Sequence, residues 1–191
     1  MTRNHRATST GLVLLLATAV TACAPARRFH DPNMDFGSVK TIAILPFQNL
    51  SRENTAGEQV RDTLFAALLA TKAVYVLPPG EVSRAISRVG MANPAAPTVE
   101  EATRLGTLLK VDALLTGVVR EFGEVRSGGG SAPVVSVSAQ MIEASSGKVV
   151  WSGTSTRGGL SLSDRLLGAG GRPTNPVTEA AVDDLLDQLF K

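Results

Sequence analysis

The chain has 191 residues, of which 43% are hydrophobic, 19% charged and only 4% aromatic. This length suits one compact domain that buries a core without disulfides, and the absence of a basic stripe and of aromatic platforms excludes a nucleic-acid surface of the usual kinds. Removal of residues 1–22 would take away Arg3 and Arg6 and lower the number of basic side chains from 19 to 17. This equals the number of acidic side chains, which is also 17. The mature chain is therefore expected to be nearly neutral.

The first 22 residues are typical of an export signal. Arg3 and Arg6 precede an apolar run, 11–20, that is about half the ~20 residues of a membrane-spanning helix. The run ends in Val20-Thr21-Ala22-Cys23, which resembles the bacterial lipobox, in which the cysteine receives a diacylglycerol and a further acyl chain such as palmitate. Cys23 is therefore the predicted lipidation site and first mature residue, and several acyl chains give a stable anchor. An ordinary secretory signal with an incidental cysteine is the alternative.

Histidine and cysteine usage limits the chemistry that the mature chain can perform. Cys23 is the only cysteine, and His30 is the only histidine after the signal is removed. A Cys-His pair is excluded, a Ser-His-Asp triad could use only His30, and a zinc site would lack its usual ligands. We predict no catalytic, cofactor-binding or metal-binding residues.

Residues 23–37 are predicted to form a lipidated flexible tether, because they contain two prolines and a polar cluster with little apolar periodicity. His30 is expected to be a solvated residue of this tether. A single α/β domain is then expected to cover residues 38–191.

The first half of that domain alternates between strands and helices. An apolar run at 40–47 predicts a central strand stopped by Pro46, and a polar loop follows at 48–54. Helices are predicted after a capping box of Thr55 and Glu58, after Pro78-Pro79-Gly80, and after a second capping box of Thr98 and Glu101. Strands are predicted at 73–77 and 111–119.

The last third is predicted to be mainly antiparallel. Three strand-like runs, 114–125, 134–143 and 148–156, are joined by turns that suit hairpins, and Asn175-Pro176 begins a closing helix. The predicted order is β-α-β-α-α-β-β-β-α. This order indicates an α/β fold of α+β type, with a mixed sheet of about five strands and helices packed against it.

Three stretches of the chain resemble one group of bacterial envelope lipoproteins. They are the strand 42–47 with its polar loop, the segment 105–117, and the segment 141–152 with the letters MIEASSGKVVWS. The group has domains similar to the amino-terminal domain of TolB, to the penicillin-binding-protein activator LpoB and to the curli secretion lipoprotein CsgG. The resemblance covers roughly residues 38–190, and it implies a mixed sheet with helices and no enzymatic activity. It gives structural roles to Gly117, Gly147, Trp151 and Asp112, the last at a helix-to-strand junction.

Together, the anchor and the resemblance predict a non-catalytic interaction or accessory domain for a cell-envelope complex of secretion or biogenesis. Its partners would be membrane lipid, through acylated Cys23, and an envelope protein or further copies of the chain. Nucleic acid and small-molecule substrates are not expected. Ala24, rather than aspartate, resembles the residue that follows the cysteine in outer-membrane lipoproteins, so we expect an outer-membrane protein that faces the periplasm.

Two alternatives belong to other functional classes. One is a subunit of an oligomeric secretion pore like the curli channel, which requires long hairpins with apolar residues facing lipid. The other is a hydrolase of envelope polymers that uses two carboxylates, with Glu121 or Glu124 as one of the pair. Four predicted loops are candidate contact surfaces: 48–54, 91–97, 126–133 and 160–173.

Overall fold

The structure, a computed structural model, describes residues 28–127, 130–158 and 174–191. The predicted signal, Cys23, the glycines 128 and 129 and the predicted loop 160–173 lie outside these ranges. The described residues form seven strands and four α-helices: β1 Phe29–His30, β2 Thr41–Ile44, β3 Gln48–Asn49, α1 Ala56–Thr71, β4 Tyr75–Val76, α2 Pro79–Val89, α3 Val99–Leu109, β5 Ala113–Ser127, β6 Gly130–Glu143, β7 Val149–Gly158 and α4 Thr174–Phe190.

The strands form one mixed sheet in the order β1-β7-β6-β5-β2-β4, with β3 also beside β5. β5, β6 and β7 are antiparallel neighbours, whereas β2 and β4 continue the sheet in parallel to β5. The predicted fold class is confirmed, and the five predicted strands correspond to β2, β4, β5, β6 and β7. The two additional strands, β1 and β3, are only two residues long each.

Helices cover both faces of the parallel half of the sheet. α1 and α4 pack with Ile42, Leu115 and Trp151 in one core cluster. α2 and α3 pack with Ala43, Leu45 and Leu114 in the other, on the opposite face. Successive residues of β2 therefore enter different clusters, which is why this strand is apolar throughout. Trp151 is 1% exposed, as its predicted core position requires. None of the helices that the structure describes is both long and apolar enough to cross a bilayer.

Pro46 interrupts the strand that it was predicted to end. Ile44 pairs with Leu115, and pairing resumes at Gln48 with Val118, so that β3 continues β2 after an extra residue. The polar segment predicted as a loop thus begins with a strand. Phe47 lies in the interruption, and its ring occupies the space where a Cβ at Gly117 would stand. Position 117 must be glycine to allow this close approach. Position 147 favours glycine for a different reason, because its backbone has φ +68° in the β6–β7 turn.

Only one of the two predicted capping boxes forms. The Thr98 hydroxyl accepts the Glu101 amide at 3.2 Å, and the Glu101 carboxylate accepts the Thr98 amide at 2.9 Å. The Thr55 hydroxyl makes no capping bond with α1; it donates to Glu53 at 2.9 Å instead. The prediction for Thr55 is wrong because its backbone has helical rather than extended angles, φ −94° and ψ 0°, which turn the side chain away from the first amides.

The segment 28–37 is structured, in contrast to the flexible tether that was predicted. Phe29 and His30 pair with Ser152 and Trp151 of β7, and a short 3-10 helix follows at Phe36–Ser38. The His30 ring makes edge contacts with Phe36 and Trp151, at centroid distances of 5.4 and 6.4 Å. His30 is half-buried rather than solvated, because the edge of β7 supplies a hydrogen-bonding partner and Trp151 an apolar surface.

Candidate interaction surface

Asp112 links the end of α3 to the start of β2. Its carboxylate accepts the backbone amides of Lys40 and Thr41 at 2.8 and 2.9 Å and the Thr41 hydroxyl at 2.8 Å. These bonds lower the pKa of Asp112 because they stabilise its charged form. The bond from the Lys40 amide has the largest effect. The bonds tie the residue that precedes β5 to the start of β2, as the structural role predicted for Asp112 at this helix-to-strand junction requires.

Beyond Val119, the edge of β5 that faces the predicted polar loop has no strand partner among the described residues. β3 pairs with β5 only at Val118 and Val119, and the Leu50 amide donates the last bond, 2.8 Å long, to the Val119 carbonyl. β5 continues to Ser127 with β6 on its other side. On the β3 side, no strand of the described ranges pairs with residues 120–127, and an unpaired edge of this kind can accept another strand.

A cleft of about 850 Å³ lies beside this edge. It is lined by Leu50, Ser51, Arg52 and Glu53 from the loop after β3 and by Arg120, Glu121, Phe122, Gly123 and Glu124 from β5. We name it the β5-edge cleft. Its volume falls within the range of binding sites, about 300–1,000 Å³, and one wall is a strand edge. The cleft therefore suits an extended peptide segment.

The loop wall of the β5-edge cleft is held in one conformation by Asn49. Its side-chain amide donates to the Glu53 carbonyl at 2.6 Å, and its side-chain oxygen accepts the amide and the hydroxyl of Ser51 at 2.9 and 2.7 Å. Leu50 is nevertheless 57% exposed. The loop thus presents an apolar side chain from a fixed backbone, an arrangement that lowers the entropy cost of binding.

The carboxylates of the alternative hydrolase site also line this cleft. Glu121 and Glu124 come together there with Glu53, and two arginines, Arg52 and Arg120, accompany them. Glu124 accepts a hydrogen bond from the Ser131 hydroxyl at 2.5 Å. Among the described residues, no group of three histidine, cysteine, aspartate or glutamate side chains is arranged to hold a metal ion. The mixed charges suit polar contacts with a partner.

Hydroxyl side chains cluster on the face of β6 and β7 opposite α4. The hydroxyls of Ser136 and Thr156 are 2.9 Å apart, and Ser138 accepts bonds from Thr154 and Arg120 at 3.2 and 3.3 Å. These side chains therefore satisfy one another's hydrogen-bonding groups.

Leu50 and Glu121 belong to two separate predictions from the sequence, a contact loop and a carboxylate pair, which the structure brings together in one cleft. Residues 48–54 were proposed as a contact loop by position, and the free β5 edge was not foreseen. The signal that could have revealed it is the length of the apolar-to-polar run 113–127, which exceeds that of its neighbour, 41–49. A long strand beside a short one leaves an unpaired edge.

The fold and the surface define a mixed α+β domain with an exposed strand edge. The family model of the GNA1162-like lipoproteins matches residues 34–189, and the chain belongs to this family. The predicted identity as a bacterial lipoprotein is therefore confirmed, which makes it a lipid-anchored protein of the cell envelope. A search of curated proteins found no match.

Solved structures share the fold at low sequence identity. A PelC dodecamer from Paraburkholderia phytofirmans has a TM-score of 0.58 at 20% identity, over 85% of this chain and 96% of that one. Lipoprotein GNA1162 from Neisseria meningitidis has a TM-score of 0.57 at 23% identity, over 79% and 98%. Less similar is the LpoB C-terminal domain from Salmonella enterica, with a TM-score of 0.49 at 15% identity, over 66% and 86%. The resemblance to TolB and CsgG stays a prediction.

Proposed function

We propose that the chain is a non-catalytic accessory lipoprotein of a cell-envelope complex, anchored through Cys23 to the periplasmic face of the outer membrane. In this proposal, an extended segment of an envelope protein binds in the β5-edge cleft and adds a strand to β5. The observation that carries the proposal is the free edge of β5 at 120–127, next to a fixed loop that exposes Leu50.

Strand addition explains the combination of features in the cleft. Backbone amides and carbonyls of the free edge would provide affinity without regard to sequence, and Leu50 with the neighbouring charges would provide selectivity. A long unpaired edge is a risk for aggregation unless it is blocked or used. In this proposal a partner uses the edge, and the charged residues of the cleft keep it soluble until the partner binds.

Photo-crosslinking in cells tests the cleft. A photoreactive amino acid at position 50 should capture one envelope protein, whereas the same amino acid at position 69 should not. Leu69 is the matched control, because it is also an exposed leucine, 45% against 57%, but belongs to α1. Equal capture of the same proteins at both positions would contradict the proposal.

Hydrogen exchange tests the strand addition itself. Once the crosslinked partner is identified and purified, it should slow exchange of those amides of residues 120–127 that point away from β6 at least tenfold and leave the amides of α2 unchanged. Slowed exchange in the loop 50–53 alone would mean that the partner binds the loop without pairing with β5.

The anchor is tested by fractionation. Cys23→Ser should release the protein from membranes, and mass spectrometry of the native amino terminus should find acylated Cys23 as the first residue. An internal, unmodified Cys23 would contradict both the anchor and the outer-membrane location.

Self-assembly is a second candidate, and it has a specific support. A protein of the same fold is described as a dodecamer, so the free edge could also be covered by a further copy of this chain. Native mass spectrometry of the lipidated protein in detergent would show a defined oligomer, and Leu50→Arg should dissociate it if β5 forms the contact. We do not extend this candidate to a pore, because the apolar side chains of β5–β7, such as Val135 and Val137, are buried in the core with α1 and α4.

Absence of catalysis is part of the proposal and has its own test. Glu121 is exposed and Glu124 is bonded to Ser131, an arrangement that serves surface contacts better than acid–base chemistry. The purified soluble domain should not degrade cell-wall polymers. Turnover that is lost in a Glu121→Gln variant would establish the hydrolase alternative.

A further inference from the structure

The first strand of the sheet keeps the domain close to its anchor. β1 is paired with β7, and the Asp31 amide adds a 2.8 Å bond to the Val150 carbonyl. Cys23 precedes Phe29 by about six residues, which span at most about 20 Å when fully extended. A free tether over 23–37 would have reached about 50 Å. The paired strand therefore restricts where the bilayer can lie.

The sheet is wider than this reach. β1 and β4 occupy opposite edges with four strands between them, which corresponds to about 24 Å at about 4.8 Å per strand. A chain anchored at Cys23 can thus stand on the β1 edge of its sheet but not on the β4 edge. The residues along β1 and the adjoining end of β7 therefore lie within reach of the lipid.

Those residues have the chemistry of a membrane contact. Phe29 is 48% exposed and Val149 39% exposed, although both are apolar. Arg28 and Lys148 are exposed beside them and can interact with lipid phosphates. The nearby Asp31 carboxylate accepts bonds from the amide and side chain of Asn33, at 2.9 and 3.2 Å, which hold it within its own turn.

We infer that Arg28, Phe29, Lys148 and Val149 form a membrane edge, which rests on the anionic headgroup region of the bilayer with Phe29 inserted among the headgroups. Aromatic side chains favour this depth, and the two cations flank it. The inference rests on the proposed anchor at Cys23. It deepens the proposed function, because β5 lies three strands from β1, and the β5-edge cleft is then held about 14 Å above the lipid surface.

Tryptophan quenching by brominated lipid tests this orientation. Phe29→Trp and Tyr75→Trp are made in the lipidated full-length mature protein, reconstituted in vesicles of phosphatidylethanolamine and phosphatidylglycerol. Tyr75 is the matched control, since it is an aromatic residue, 62% exposed, on the β4 edge. The native Trp151 is buried and contributes equally to both samples. We expect at least twofold stronger quenching at position 29 than at position 75; equal quenching in protein that floats with the vesicles would overturn the inference.

A second arm separates the orientation from the anchor. The thiol of Cys23, the chain's only cysteine, can be coupled to a maleimide lipid in unacylated protein, so that attachment no longer depends on natural acylation. Selective quenching at position 29 in the coupled protein would support the membrane edge even if native Cys23 proved unmodified, which would refute only the anchor. Lys148→Glu should reduce this quenching at least twofold, and Lys110→Glu, a charge reversal outside the membrane edge, should not. Equal effects of the two variants would contradict the role of Lys148.

Discussion

Thr41 and Asp112 are joined by reciprocal hydrogen bonds across the parallel pair β2 and β5. The Thr41 amide and hydroxyl donate to the Asp112 carboxylate at 2.9 and 2.8 Å, and the Asp112 amide donates to the Thr41 hydroxyl oxygen at 3.2 Å. The two residues are 71 positions apart in the chain. Because a slip of one residue would turn side chains to the wrong face, this link helps to fix the register on which both core clusters depend.

Asp112→Asn should therefore destabilise the domain in a pH-dependent manner. The variant loses the charge and one acceptor oxygen, and we expect the free energy of unfolding at pH 7 to fall by about 1–2 kcal/mol, a value reduced for solvent exposure. The pKa of Asp112 is lowered in the folded state, so the contribution of its charge is complete above the unfolded value of about 3.9 and is lost as the pH falls through the folded value.

Urea unfolding at about pH 7 and at about pH 3 measures this change. The difference between the wild type and Asp112→Asn should narrow at the lower pH, since Asp112 of the unfolded wild-type chain takes up a proton below its unfolded pKa while the folded carboxylate resists protonation. Glu121→Gln, a change of an exposed carboxylate within β5, should have little effect at either pH. A difference that stays constant between the two pH values would show that the charge of Asp112 contributes nothing.

Thr98→Ala and Thr55→Ala should differ although both threonines precede helices with a glutamate three residues later. Loss of the bond between the Thr98 hydroxyl and the Glu101 amide should cost about 1 kcal/mol. Thr55→Ala should change stability by less than about 0.5 kcal/mol, because its hydroxyl makes no capping bond. Chemical unfolding of the two variants provides the comparison, and equal losses would mean that Thr55 caps α1 in solution.

These two threonines show what local sequence patterns could and could not predict. The strands β2, β4, β5, β6 and β7, the four helices and the end of α2 at Gly90 follow from periodicity and from turn residues, which act within a few positions. Whether Thr55 caps its helix depends on backbone angles that the preceding loop imposes, and Asn49 determines that loop through contacts with Ser51 and Glu53. No spacing rule contains this information.

The β5-edge cleft and β1 were missed for a related reason. β1 is two residues long, and Phe29 and His30 have no strand signal of their own; β7 and Trp151 stabilise them from about 120 positions away. The cleft exists because β3 ends while β5 continues. It therefore depends on the difference in length between the two paired strands, which neither strand's own sequence specifies. Long-range pairing of this kind becomes visible only in the assembled sheet.

Gly106→Ala should destabilise the domain despite the higher helix propensity of alanine. A Cβ at Gly106 of α3 would stand 2.5 Å from the Cβ of Ala144, in the turn between β6 and β7. The helix would have to move away from the sheet, and we expect a loss of about 1–3 kcal/mol. Gly80→Ala in α2 is the matched control, because the nearest atom to its added Cβ is the flexible end of Arg84 at 3.8 Å.

Thermal unfolding of Gly106→Ala, Gly80→Ala and the double variant Gly106→Ala with Ala144→Gly separates the two effects. Gly80→Ala should leave stability unchanged or raise it slightly. The double variant should recover part of the loss, since it removes the methyl group of Ala144 that the new Cβ meets. Failure of Ala144→Gly to recover any stability would attribute the loss to some other contact of Gly106.

A chain that begins at residue 38, the predicted start of the domain, should be less stable than one that begins at residue 28. The shorter chain lacks β1 and the partly buried side chains of Met34 and Phe36, which pack against the main core cluster, and it exposes Trp151 to solvent at the β7 edge. We expect the free energy of unfolding to fall by about 2–4 kcal/mol and the emission of Trp151, the only tryptophan, to shift to longer wavelength. Equal stability of the two chains would mean that β1 is dispensable, and the bilayer could then lie as far away as a free tether allows.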